Sequence, residues 1–349
     1  MRRKNFIKTV AAASLGAAFI PSNVSTALVK KDLPVIKPKK LNQGDTIGLI
    51  APGSFISEEE LKESIDNLTA LGFKVVYTEN ILQRYGYLAG KDKQRADDVN
   101  IMFSRKDVDA IVTARGGYGC ARILPYLDYT AIKKNPKILI GYSDITALLY
   151  GIFAKTGLIT FHGPVGISTF NEYSIRYFNE VLMTQNKNFT FYNAAEDNSG
   201  KEFSVIPIVT GVGRGKLVGG NLSIVVSMIG TEYDIDSKDK IIFLEEIGEE
   251  PYRIDRMLTQ MLEAGKFDEA SGVMLGVFKN CEAKEKDPSF PKSLTLSEVL
   301  FDRLGDLKIP VIYGMSFGHI TNKFTLPVGI EAELDSGNQS IKLLENAVL

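Results

Sequence analysis

The sequence predicts an α/β fold, a three-layer domain with a parallel sheet followed by a second, mixed domain. Three observations carry that expectation. The 349 residues suggest about two domains at roughly 150 residues each. From residue 45 to about 166, short apolar runs alternate with amphipathic helical patterns, as parallel strands with right-handed crossovers require. The stretch 185–201 then turns polar, rich in Asn, Lys, Asp, Ser and Gly, and reads as a linker. The expected boundaries are a first domain at 35–184, the linker at 185–201 and a second domain at 202–349.

The elements follow in order. Residues 46–51 read as a buried strand. Ser57 with Glu60 forms a capping-box signature ahead of Leu61, Ile65, Leu68 and Leu71, one apolar stripe at helical spacing. A second strand is expected at 75–77, a helix at 95–103, and further strands at 110–113, 138–140 and 158–161. Helices near 120–127 and 145–155 fall between them. Beyond the linker, strands are expected near 203–208, 241–244, 272–277 and 310–312, and helices at 222–229, 254–264 and 296–304. Strands and turns fill 325–344. Active groups of a parallel sheet gather at the carboxyl ends of its strands.

Composition excludes several classes. With 41 Lys+Arg against 42 Asp+Glu, no basic excess suits a nucleic-acid partner. Cys120 and Cys281, the two cysteines, cannot build a disulfide framework or a four-thiolate metal site. The two histidines are His162 and His319, so any imidazole chemistry must use one of them.

Residues 1–27 read as an export signal. Arg2, Arg3, Lys4 and Lys8 precede an apolar run over 9–20, and Ser25-Thr26-Ala27 places small residues at −3 and −1. The run is shorter than the roughly 20 residues of a spanning helix, so no membrane span is expected in the mature chain. The pair Arg2-Arg3 also resembles a twin-arginine signal, one residue further from Phe6 than that pattern prefers. Cleavage after Ala27 would remove four bases and no acids, taking the formal charge from −1 to −5. The expected destination is outside the cytoplasm, in the periplasm.

Five segments could carry chemistry. Gly141-Tyr142-Ser143-Asp144 follows a strand and opens a helix, the context of a nucleophile elbow; an N-cap serine is the structural alternative. Arg115-Gly116-Gly117-Tyr118-Gly119 could form an oxyanion hole or carboxylate cradle, or a plain tight turn. It lacks the signatures of phosphate or dinucleotide loops. Cys120 reads as a packing residue. Leu244-Glu245-Glu246 ends an apolar strand with a carboxylate that needs a cationic or imidazole partner, while the glutamates after Glu245 read as a solvated loop and helix start. Gly318-His319 and His162-Gly163-Pro164 place each histidine at a strand end.

The chain order Ser, Glu, His suits an acyl-transfer triad, and here the sequence resembles the LD-carboxypeptidase family of serine peptidases. The matching segments are Ile50-Ala51-Pro52, Arg115-Gly116-Gly117-Tyr118-Gly119, Gly141-Tyr142-Ser143-Asp144, His162-Gly163-Pro164, Gly219-Gly220-Asn221-Leu222, Leu244-Glu245-Glu246 and Gly318-His319. The resemblance implies a class I glutamine amidotransferase-like α/β domain joined to a smaller β-rich domain that supplies Glu and His. It implies Ser143 as nucleophile, Glu245 as acid and His319 as base, acting on the bond to a terminal D-alanine in peptidoglycan muropeptides. No cofactor or metal is implied, and a homodimer is. The amides of Gly117 and Asp144 are the oxyanion-hole candidates. Arg115, Arg253 and Asn221 are the substrate-binding candidates, an Arg being suited to a terminal carboxylate. Two alternatives stand beside this: an immunity-type peptidase acting on peptidyl-nucleotide antibiotics, and a non-catalytic muropeptide-binding protein.

Overall fold

Residues Thr46–Ile50 form a strand (β1) buried at four of its five positions, as expected where helices cover both faces of a sheet. The computed structural model describes residues 33–194, 204–286 and 288–349. The export segment expected at 1–27 lies outside the described residues. After β1 come α1 (Glu58–Ala70), β2 (Lys74–Tyr77), α2 (Asp92–Ser104), β3 (Ala110–Thr113), α3 (Tyr129–Lys134), β4 (Ile138–Gly141), α4 (Thr146–Thr156) and β5 (Thr160–His162). Two 3-10 turns, Cys120–Tyr126 and Ser143–Ile145, precede α3 and α4. The expected capping box opens α1: the Glu60 amide donates to Ser57 Oγ at 3.1 Å, and the Ser57 amide to Glu60 Oε2 at 2.9 Å.

The chain continues through α5 (Glu172–Leu182), β6 (Thr190–Tyr192), β7 (Ile206–Val209), β8 (Val212–Asn221), α6 (Leu222–Met228), β9 (Lys240–Ile247), α7 (Pro251–Glu263), β10 (Gly272–Lys279), α8 (Leu296–Leu304), β11 (Val311–Gly318), β12 (Leu326–Val328), β13 (Glu331–Asp335) and β14 (Ser340–Leu343). The first sheet has the order β12-β5-β4-β3-β1-β2, and the second β6-β14-β13-β8-β9-β10-β11-β7. Strands β1 to β5 are mutually parallel, as are β8 to β11 in the second sheet.

Two strands lie where the composition does not suggest them. The polar stretch 185–201 contains β6, which pairs with β14 and buries Phe191. Thr190, Phe191 and Tyr192 all favour strand, but three residues inside a polar stretch are too few to show in the composition. Strand β12, within the stretch assigned to the second domain, closes the first sheet by pairing antiparallel with β5, Leu326 opposite His162. The chain therefore crosses from the second sheet to the first between β11 and β12. A second link is the Asn221 amide at the end of β8, which donates to Thr146 Oγ1 at the start of α4 at 3.0 Å. These two ties fix the ends of β4, β9 and β11 against one another.

Candidate active site

Ser143 leaves the end of β4 with φ at +64°, in the left-handed region. A side chain there costs on the order of 1–3 kcal/mol and persists only where the surroundings hold it. Its neighbours supply the restraint. A Cβ added at Gly116 would stand 2.9 Å from the Ser143 Cβ, so the glycine-rich loop passes directly over the serine and only glycine fits there. The result is an elbow, with the hydroxyl-bearing residue on a sharp turn between a buried strand and a helix.

Glu245 lies in β9 with no exposed surface, and Oε2 is 2.7 Å from His319 Nδ1. His319 follows β11, the second strand along from β9 in the same sheet. The close approach requires glycine at 318, because a Cβ there would meet the Glu245 Cβ at 2.9 Å. Burial pushes the Glu245 carboxyl up, but His162 and His319 outweigh it and hold the group down at about 2. An ionised carboxylate can only accept, so His319 Nδ1–H is the donor and Nε2 keeps its lone pair. That is the tautomer a general base needs. The Tyr142 ring, next to Ser143 in the chain, packs edge-on to His319 with ring centres 4.8 Å apart.

His162 faces the other oxygen, Nε2 to Oε1, at 3.8 Å. It is fully buried, with Phe243 and Phe317 rings at 5.5 and 6.1 Å, and among the described residues neither ring nitrogen has a hydrogen-bond partner. Among the described residues, both histidines of the sequence thus converge on one carboxylate.

The glycine-rich loop is tied to the elbow through Asp144, whose Oδ2 accepts from the Cys120 amide at 2.9 Å. The amides of Gly117, next to Gly116, and of Asp144, next to Ser143, belong to the two segments that flank the hydroxyl. Arg95, buried in α2, donates to the carbonyls of Pro52 and Gly119 and pairs with Asp92 at 2.7 Å, clamping two loops beside the serine. Cys120 is sealed in the core, where burial, reinforced by Asp144, pushes its thiol well above its ordinary range. It is a packing residue, not a thiolate nucleophile.

Residues 47–163 match the LD-carboxypeptidase N-terminal domain family and residues 214–334 its C-terminal domain family. The chain belongs to the LD-carboxypeptidase family. It is a hydrolase of the serine carboxypeptidase type. Among its relatives is a Bacillus subtilis protein named "probable murein peptide carboxypeptidase", 37% identical over 87% of this chain and 93% of that one. The Escherichia coli microcin C7 self-immunity protein MccF is 31% identical over 86% of this chain and 94% of its own. A structure of MccF in complex with glutamyl sulfamoyl guanosine superposes with a TM-score of 0.81, covering 90% of this chain and all of that one at 27% identity. A muramoyltetrapeptide carboxypeptidase structure from Oxalobacter formigenes gives 0.71, with 85% and 97% covered at 29% identity.

Within this LD-carboxypeptidase, the three substrate-binding candidates are engaged elsewhere. Arg115 pairs with Glu60 at 3.0 Å, the same glutamate that caps α1. Arg253 pairs one helical turn back with Glu249 at 3.4 Å. Asn221 is buried, donating through Nδ2 to Glu246 Oε1 at 3.0 Å and accepting from Ser223 Oγ at 2.7 Å. The glutamate after Glu245 also departs from expectation. Glu246 is buried, and it accepts from Asn221, from the Ser223 amide at 2.8 Å and from the Ile247 amide at 2.9 Å. Side chains alternate along a strand, so in β9 consecutive glutamates serve opposite faces, one toward His319 and one toward the start of α6.

Sequence reasoning missed Lys323. It is buried, and its ammonium stands 4.5 Å from the centre of the Tyr142 ring. Burial lowers it to about 8, with Glu245 opposing and Lys279 adding to the effect. Its position four residues after His319 was the available signal, hidden because a lysine in a polar loop reads as solvated.

Proposed function

We propose that this LD-carboxypeptidase removes the terminal D-alanine from peptidoglycan-derived peptides, cutting its amide bond to the L-centre of a diamino acid. The names of the Bacillus and Oxalobacter relatives support that substrate class. One observation carries the mechanism: the 2.7 Å bond from His319 Nδ1 to a buried, ionised Glu245, with the ring of Tyr142, the residue before the strained Ser143, packed on His319. Nε2 of His319 takes the Ser143 proton as Oγ bonds to the substrate carbonyl carbon. The developing oxyanion is received by the amides of Gly117 and Asp144, a contribution worth roughly 10²–10³ in rate per donor. The C–N bond then breaks, and His319 gives its proton to the departing amine of D-alanine. Water, deprotonated by the same imidazole, cleaves the acyl-serine ester and restores Ser143. Glu245 holds the tautomer and stabilises the imidazolium throughout.

The same reading includes export to the periplasm with cleavage near Ala27, and a homodimer. The basic, apolar, small-residue pattern of 1–27 supports the first; N-terminal sequencing of secreted protein tests it, and light scattering tests the second. The decisive experiment is mass spectrometry of a defined tetrapeptide muropeptide after incubation. Loss of one alanine with wild type, abolished in Ser143→Ala, is expected. An unchanged peptide with correctly folded enzyme overturns the assignment.

The likeness to MccF favours one second reading, an immunity-type peptidase acting on peptidyl-nucleotide antibiotics. Cleavage of an aminoacyl sulfamoyl nucleoside in preference to the muropeptide would favour it. A fluorophosphonate label that depends on Ser143 separates both enzymes from a non-catalytic muropeptide-binding protein.

A further inference from the structure

We infer that Lys323 determines carboxylate specificity, its ammonium receiving the free α-carboxylate of the departing residue. The inference rests on the roles given above to Ser143, Glu245 and His319. A carboxypeptidase must distinguish a chain end from an internal bond, and a cation on the leaving-group side is the direct device. Arg115 and Arg253 each already pair with a glutamate, Glu60 and Glu249, at 3.0 and 3.4 Å. Lys323 is only 5% exposed, yet among the described residues no carboxylate forms an ion pair with its ammonium, which rests on the Tyr142 ring face at 4.5 Å. A buried cation without a directly paired anion is costly, and a ligand carboxylate would offset that cost.

Position completes the argument. Tyr142 adjoins Ser143 in the chain, and its ring lies 4.8 Å from that of His319. One aromatic ring therefore contacts the cation and the base and neighbours the nucleophile. The base must hand its proton to the departing amine, so the departing residue stands on the His319 side. In an α-amino acid the carboxylate carbon is only two bonds from that nitrogen, so the carboxylate stays near His319, and the Tyr142 ring links His319 to the Lys323 ammonium. The backbone of the lysine is fixed as well: its amide donates to Ser174 Oγ at 3.1 Å, and that hydroxyl donates to the Thr321 carbonyl at 3.0 Å.

The test compares kcat/KM for a tetrapeptide ending in D-alanine with that for its C-terminal amide, in wild type, Lys323→Met and Lys323→Arg. Wild type should favour the acid by roughly thirtyfold or more. Lys323→Met should lower kcat/KM for the acid at least about tenfold more than for the amide, mainly through KM, with a near-native circular dichroism spectrum reporting an intact fold. Lys323→Arg should recover part of the preference, since it keeps the charge but not the compact geometry. An unchanged acid-to-amide ratio in Lys323→Met overturns the proposal, as does an equal fall for both substrates, which marks a structural role. A folded wild type that cleaves neither substrate overturns the underlying site assignment, and the proposal with it.

Discussion

Glu245 bonds His319 Nδ1 at 2.7 Å while its other oxygen stands 3.8 Å from His162 Nε2. One buried carboxylate thus faces two imidazoles with unequal geometry, and in the proposed mechanism the imidazole at the shorter contact is the base. Replacing Glu245 by Gln preserves shape and burial but removes the charge that fixes the tautomer. Glu245→Gln is expected to lower kcat by about three to four orders of magnitude with a near-native circular dichroism spectrum. Activity within tenfold of wild type would remove Glu245 from the mechanism.

The same carboxyl gives a pH prediction. Burial raises it, but the two histidines prevail and hold it at about 2, against an ordinary value of 4.5. As pH falls below 4.5 the unfolded chain takes up this proton first, so the contribution to stability is complete above 4.5 and lost on the way down to about 2. Each pKa unit is worth about 1.4 kcal/mol. Thermal melts between pH 5 and 2.5 should therefore show wild type losing stability more steeply than Glu245→Gln. Parallel curves for the two proteins would contradict the depressed value.

Ser143 combines a chemical role with backbone strain, and two substitutions separate them. Both Ser143→Ala and Ser143→Gly should abolish turnover. Alanine retains the penalty of φ at +64°, whereas glycine adopts that conformation freely, so the glycine variant should be the more stable by about 1 kcal/mol. Equal stability in urea denaturation would mean that the elbow relaxes in solution.

Local signals made much of this legible. Ser57 and Glu60 wrote the start of α1, and the elbow was readable from four buried apolar or small residues followed by Tyr142-Ser143-Asp144. Two kinds of feature were not. Strand β8 holds Gly213, Gly215, Gly219 and Gly220, a composition that reads as a turn; neighbouring strands, not its own propensity, make it extended. Long-range pairings were equally invisible: nothing near Arg115 reveals Glu60, and nothing near Lys323 reveals Tyr142. Crossing of the chain from β11 to β12 brings that lysine to the elbow, and only topology shows it.

His162 and His319 allow the sharpest discrimination, because each is surrounded by what its role requires. His319 has a partly accessible side chain and one short hydrogen bond, so under the proposed mechanism its loss removes the base and little packing. His162 is sealed among Tyr142, Phe243 and Phe317, with no hydrogen-bond partner on either nitrogen among the described residues. Its removal leaves a cavity in the densest part of the site, which costs on the order of 2–4 kcal/mol by analogy with large-to-small core changes. His319→Ala should therefore lose activity by several orders of magnitude with a small change in melting temperature. His162→Ala should show the converse, a large fall in melting temperature with measurable turnover at low temperature. His162→Phe, which refills the space among the three rings, should recover most of the stability and retain activity above that of His319→Ala. Full activity in His319→Ala, with both His162 variants inactive yet folded, would make His162 the base and Glu245 Oε1 its anchor.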